Sequence, residues 1–188
     1  MKPGLLIVVS GPAGVGKGTV VSQVRSKNKD VVFSVSATSR SPRPGEIDGE
    51  NYYFVSRKQF EEMIKNNELL EWVEYCGNYY GTPKAYVEAE MARGHIVILE
   101  IDVEGAGNIK MQYPQSISIF ITPPTLEELR NRITKRGTES TEIIEERMKR
   151  AKKELDHINE YDYIIINDTV EKSTEEFLQI LERERNKN

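Results

Sequence analysis

The apolar residues of this chain fall in short runs, and the polar stretches between them carry apolar positions at helical spacing. Leu5-Leu6-Ile7-Val8-Val9 is a continuous apolar run, which suits a strand buried on both faces of a parallel sheet. Val20, Val21 and Val24 then recur as one face of a helix. The same rhythm predicts further strands over residues 31–35, 96–102, 117–121 and 163–166, of which 96–102 is the strongest. Thr82-Pro83 predicts a helix opened by a cap and a first-turn proline, ending near Arg93-Gly94. A short helix is expected from Val103. Thr125 with Glu128 predicts a capped helix running to about Lys135, and Ser173 with Glu176 predicts the cap of the last helix. Between them, Gly137-Thr138-Glu139-Ser140 is a break, followed by a long charged helix to about Asn159. Strands alternating with helices argue for an α/β fold, a doubly wound five-stranded parallel sheet.

Residues 36–81 interrupt that rhythm. Ser36 to Gly49 is polar, basic and proline-rich, and Pro42 and Pro44 bar a helix there. Residues 52–55 read as a short strand. Ser56 with Gln59 is a capping-box signature for a helix over residues 57–65. Residues 69–75 read as another strand, Gly77-Asn78 as a turn, and Tyr79-Tyr80-Gly81 as its return. The block is expected to be a small antiparallel subdomain inserted after the second strand.

Gly11-Pro12-Ala13-Gly14-Val15-Gly16-Lys17-Gly18-Thr19 joins the first strand to the first helix. Glycines permit positive φ and leave the backbone uncovered. Consecutive N–H groups then converge on an anion, where the helix N-terminus adds its partial positive charge. Lys17 adds a full charge that reaches terminal phosphates. In this strand–loop–helix context the pattern G-x-x-x-x-G-K binds nucleotide phosphates. Gly18 stands where a hydroxyl residue that touches magnesium is usual, and Thr19 follows one position later. That arrangement places water between loop and magnesium, and Thr19 on a phosphate. It resembles the loops of nucleoside monophosphate kinases.

Composition narrows the choice. With 188 residues, 38% hydrophobic and 30% charged, the chain has enough material for one globular domain with a real core. A net charge of -4 argues against a non-specific nucleic-acid binder, so the positive charges that matter are local. One cysteine, Cys76, rules out a disulfide framework and a cysteine metal site, and fits a reducing cytoplasm. The N-terminal apolar run is too short for a signal peptide. No apolar run approaches the roughly 20 residues that span a bilayer, so no membrane partner is expected. His95 and His157 lack motif partners and read as surface residues, and Cys76 reads as structural.

Arg40 and Arg43 lie in the proline-rich segment, and arginine's planar fork suits phosphate. An ordinary basic surface loop reads the same way. Tyr52 and Tyr80 offer hydroxyls to the same phosphate, or pack as aromatics. Asp102 ends the strongest strand, where it holds magnesium through water, orients the acceptor or contacts a base. Taken by themselves, Arg132, Arg136 and Arg147 read first as salt-bridging residues on a helix surface rich in glutamate.

Ser36-Ala37-Thr38-Ser39-Arg40-Ser41-Pro42-Arg43-Pro44-Gly45-Glu46 resembles the signature segment of guanylate kinases. So do Gly77-Asn78-Tyr79-Tyr80-Gly81, Ile101-Asp102-Val103-Glu104-Gly105, Arg136-Gly137-Thr138-Glu139 and Ile166-Asn167-Asp168, in that order and spacing over essentially the whole chain. The resemblance implies a core (1–35, 87–131 and 148–188), a GMP-binding subdomain (36–86) and a helical lid (132–147). It implies that Ser36, Arg40, Arg43, Glu46, Tyr52, Glu71, Tyr80, Thr82 and Asp102 line the GMP site, and that residues 11–19 with Asn167 serve ATP, Asn167 at the adenine. Arg132, Arg136 and Arg147 would reach the transferring phosphoryl group beside Lys17, Arg40, Arg43 and Asp102. Magnesium would arrive with ATP, held by phosphates and water near Asp102. Ala13, Ser39 and Glu104 depart from residues common in that family, and none removes a needed charge.

The activity implied is phosphorylation of GMP by ATP. Another monophosphate kinase, or a non-catalytic guanylate-kinase-like interaction module, is the alternative. The intact glycines and Lys17 argue against the module, and base selectivity separates the kinases. A GTP-hydrolysing switch is disfavoured because no Asn-Lys-x-Asp stretch is present.

Overall fold

The computed structural model describes residues 3–135 and 141–187. In chain order its elements are β1 (Leu5–Ser10), α1 (Lys17–Lys27), β2 (Val31–Phe33), β3 (Ala37–Thr38), β4 (Tyr53–Phe54), α2 (Arg57–Lys65), β5 (Leu69–Tyr75) and β6 (Asn78–Pro83). There follow α3 (Lys84–Ala92), β7 (Ile96–Glu100), α4 (Val103–Gln112), β8 (Ile117–Thr122), α5 (Leu126–Thr134), α6 (Thr141–Leu155), β9 (Tyr163–Ile166) and α7 (Val170–Lys187). The main sheet has the order β2-β7-β1-β8-β9, with every pairing parallel. Every residue of β1 is buried, as its unbroken apolar run requires. Its side chains alternate between two layers. Leu5, Ile7 and Val9 meet Val20, Val24, Leu129, Phe177 and Leu181 from α1, α5 and α7. Leu6 and Val8 meet Val87 of α3, Ile109 of α4 and Leu70 of β5. The expected doubly wound sheet is therefore present. No helix among the described residues is long and apolar enough to cross a membrane.

The insertion forms a second sheet, β4-β3-β6-β5. Two of its pairings are antiparallel, but β3 and β4 run parallel, because the chain crosses from one to the other through the long proline-rich loop. The Ser56–Gln59 capping box forms as expected. Between Leu69 and Trp72 the β5–β6 register shifts by a bulge. Leu70 and Glu71 are consecutively buried there, Leu70 in the core cluster under α3 and α4.

Several boundaries differ from expectation. Pro83 is the N-cap of α3, still extended, rather than its first helical residue. Thr82 belongs to β6, and its hydroxyl bonds Glu71 instead of capping. α7 begins at Val170, where the Thr169 hydroxyl accepts from the Lys172 N–H. Ser173 lies inside the helix, fully buried. α6 ends at Leu155, and a 3-10 turn at Ile158–Glu160 replaces its expected last turn. The proline-rich segment yields the short strand β3, which its polarity hid. The break at Gly137 lies outside the described residues.

Candidate functional site

The first feature is the loop at the C-terminal end of β1. Gly16 caps α1 with φ 97°, and a Cβ there would meet the Asn167 amide nitrogen at 2.7 Å, so no other residue fits. No side chain caps the first turn of α1, which leaves its N–H groups free to face an anion. The Lys17 ammonium folds back onto the loop, donating to the carbonyls of Gly11 at 2.6 Å and Pro12 at 3.3 Å. Burial lowers its pKa, while Glu100 and Glu154 pull it back up. Glu100 ends β7 opposite the loop. One of its carboxylate oxygens lies 3.5 Å from where a Gly18 Cβ would stand.

The loop is braced from behind. The Val15 carbonyl accepts from Asn167 Nδ2 at 2.7 Å and from Arg132 Nη1 at 3.3 Å, and Asn167 Oδ1 accepts from the Ser173 hydroxyl at 2.9 Å. Asn167 is 3% exposed, so its amide faces the loop and leaves no open face toward a base in this conformation. Asn167→Ala would leave the Ser173 hydroxyl with only a long, 3.5 Å bond to the Ile166 carbonyl and the Val15 carbonyl with one donor. We expect it to destabilise the fold by about 1–3 kcal/mol and to raise KM for ATP. Thermal melting and ATP titration check this, and unchanged values would remove Asn167 from loop support.

Across the cleft from the loop lies the inserted subdomain. Lys17, Arg43, Glu71, Tyr80, Asp102 and Arg147 share its lining, together with Ser36 and Tyr52. Arg40 forms a two-pronged pair with Glu46 at 2.9 and 3.0 Å, and its guanidinium stacks over the Tyr52 ring, 5.5 Å from the centroid. Glu46 also accepts from the Arg43 N–H at 2.7 Å, so one carboxylate holds the basic loop in shape. Tyr52 and Tyr80 meet edge to face at 6.0 Å.

Glu71 is a buried charge on the inserted sheet. It is 5% exposed and accepts from the Thr82 hydroxyl at 2.6 Å. Burial pushes its carboxyl up to about 7, with the Asp102 charge adding to the rise. Asp102 caps α4, accepting from the Gly105 N–H at 2.9 Å. Gly105 gives the two acids room, since a Cβ there would meet a Glu71 oxygen at 2.9 Å. We expect Gly105→Ala to lower thermal stability modestly, because the helix preference of alanine is outweighed by a methyl that crowds buried Glu71 against its Thr82 bond. It should also displace Glu71 and raise KM for the acceptor nucleotide about tenfold. An unchanged KM would show that Glu71 does not touch the acceptor.

Thr19 and Gly18 open α1 at the surface, and Arg136 lies outside the described residues. His157 is exposed and His95 half-buried, each beside a glutamate, and Cys76 is exposed at the β5–β6 turn rather than structural. The sequence reading missed Glu100, Tyr75 and Arg150, which also line the cleft. A charge ending a buried strand could have revealed Glu100. Arg150 sits among Arg147, Lys149, Lys152 and Lys153 on α6, and no local pattern distinguishes it.

A phosphate cradle at the C-terminal end of the central strand of a parallel sheet, sharing a cleft with Arg43 and the buried Glu71 of an inserted subdomain, defines a P-loop nucleotide kinase. Residues 4–184 match the family model described as Guanylate kinase. A guanylate kinase of Halalkalibacterium halodurans is 52% identical over 181 residues, covering 96% of this chain and 89% of that protein. One of Desulfitobacterium hafniense is 50% identical over 182 residues, covering 97% and 91%. The crystal structure of guanylate kinase from Anaplasma phagocytophilum matches with a TM-score of 0.80 at 33% identity, covering 98% of this chain and 88% of that one. The chain belongs to the guanylate kinase family.

Proposed function

We propose a division of labour among the cleft residues for the family's reaction, in which this chain phosphorylates GMP with ATP to give GDP and ADP. The observation that carries it is the buried Glu71, held by Thr82, which shares one cleft with Asp102 and the Lys17 loop. Guanine presents N1–H and a 2-amino group as donors. Glu71, held by Thr82, accepts from them with Asp102 assisting, and Ser36 donates to O6. Arg40, Arg43, Tyr52 and Tyr80 take the GMP phosphate, with Glu46 setting the arginines. The N–H groups of residues 11–19 and Lys17 take the ATP phosphates, Thr19 bonds one of them, and Asn167 serves ATP by holding Val15. Arg132, Arg136 and Arg147 close over the transferring group. Phosphoryl transfer asks the protein chiefly to align two anions and neutralise their repulsion.

Nucleotide kinases of this family generally use magnesium with ATP, where it neutralises phosphate charge. Among the described residues no three carboxylate, histidine or cysteine side chains form a metal cage. Glu100 and Asp102, at the end of β7, are oxygen donors suited to magnesium through water, with the phosphates as its other ligands. Substrates are the only partners this reading needs, with no nucleic acid or membrane, and the exposed thiol of Cys76 suits the cytoplasm.

A coupled assay with ATP and a panel of monophosphates tests the reading. GMP is expected to be turned over and AMP rejected by about 10⁴-fold in kcat/KM, and comparable use of both would overturn it. We take residues 132–147 as the lid, α5 and α6 flanking the glycine of the break. Small-angle scattering should show compaction with an adenosine–oligophosphate–guanosine analogue, and identical profiles would remove the lid.

A further inference from the structure

β5 of the GMP-binding subdomain and helix α6 face each other across a groove. Val73, Glu74 and Tyr75 form one wall, and Lys153, Glu154 and His157 the other. Arg150 spans it. Its guanidinium lies 4.0 Å from the centroid of the Tyr75 ring. Its Nε donates to Glu154 Oε1 at 2.8 Å, and Nη2 lies 3.9 Å from Asp102 Oδ2. Glu154 is 8% exposed, a buried acid that needs this partner. Tyr75 is the last residue of β5, and its ring continues a row toward the phosphate end of the cleft: Tyr75 to Tyr80 at 6.5 Å, Tyr80 to Tyr52 at 6.0 Å, and Arg40 over Tyr52.

We propose that Arg150 is a positioning residue for GMP. It ties the Tyr75 end of the subdomain to α6 and steadies Asp102 from the side away from its α4 cap. The inference rests on the base-site reading above. A planar guanidinium does three things at once here: its edge pairs with Glu154, its tip points toward Asp102, and its face covers the Tyr75 ring. Lysine has neither the plane nor the fork. Holding the subdomain against α6 before GMP arrives lowers the ordering that GMP binding must drive, so Arg150 acts on GMP affinity. Arg150 and Glu154 reach Lys17 at the ATP loop only as distant charges of opposite sign that offset each other, so the tie acts chiefly on GMP.

The test is calorimetric titration of the full chain with GMP and, separately, ATP, which is separable from turnover. Arg150→Leu and Tyr75→Leu are each expected to raise Kd for GMP about fivefold to tenfold, with Kd for ATP within about twofold of wild type. Arg150→Lys should recover only part of the loss, and Tyr75→Phe, which keeps the ring, should lose less than Tyr75→Leu. The double Leu variant should bind GMP no worse than Arg150→Leu alone, because Tyr75→Leu removes a contact that Arg150→Leu already removes. Melting temperatures show which variants remain folded, and the two substitutions sit on different elements. Unchanged GMP affinity in folded Arg150→Leu or Tyr75→Leu overturns the proposal. Equal losses for ATP and GMP, or losses that add in the double variant, overturn it as well.

Discussion

Lys17→Met is expected to lower kcat for GMP phosphorylation by about 10³-fold while the fold and the KM for GMP stay near wild type. The ammonium rests on two carbonyls of its own loop, those of Gly11 and Pro12, a placement that a phosphate oxygen would take over. Burial lowers its pKa and Glu100 and Glu154 raise it, so an arriving triphosphate meets a partly buried cation already held in place by its loop. Charge shifts between β- and γ-phosphates as the bond breaks, and a fixed ammonium stabilises that state more than the ground state. Methionine matches the length of the lysine stem and carries no charge, so packing survives. Steady-state kinetics with circular dichroism and thermal melting checks this. A folded variant with near-normal kcat would remove Lys17 from the chemistry.

The second large effect belongs to the base. Glu71→Gln is expected to cut kcat/KM for GMP, leave ATP binding nearly unchanged, and lower the GMP-to-AMP ratio by at least about a hundredfold. A carboxylate only accepts, so it matches the guanine N1–H and amino group and repels the acceptor N1 of adenine. Glutamine presents a donor as well and relaxes that rejection. The Thr82 hydroxyl can still donate to a glutamine oxygen, so the bulge around residue 71 should keep its shape. An unchanged ratio in the variant would show that Glu71 does not read the base.

The same residue predicts a pH dependence with a definite sign. The Glu71 carboxyl titrates at about 7 in the folded chain and at 4.5 when unburied. Guanine needs the ionised form, so Kd for GMP should fall as pH rises through about 7. Glu71→Gln should lose that component while keeping whatever the GMP phosphate contributes. For stability the sign reverses. Between 4.5 and about 7 the folded chain holds the proton more tightly than the unfolded one. The contribution of Glu71 to stability is therefore fully present below that window and lost as pH rises through it. Glu71→Gln should flatten this slope in melting experiments. A wild-type GMP titration without an inflection near neutrality would place Glu71 outside the base contact.

Local pattern alone carried much of this protein. The apolar run of β1 (residues 5–9), the glycine loop and the start of α1 are contiguous in sequence, so their geometry follows from neighbouring residues and steric rules. The Ser56–Gln59 cap is equally local. The family likeness, resting on several spaced motifs, supplied the acceptor residues that no periodicity picks out. What the chain could not reveal by itself depends on partners far along it. The bulge that buries Glu71 beside Leu70 exists because β6 pairs with β5 on one side while α4 covers the other. Ser173 looks like a cap, yet it is buried against Asn167, because α7 packs on the sheet and starts earlier than its own residues suggest. Arg150 is one cation among several on a charged helix until Tyr75, folded in from the inserted sheet, lies beneath it. Helical and strand periods report which face of an element is apolar. Which buried acid meets which distant hydroxyl or ring is set by packing between elements, and only the tertiary structure decides that.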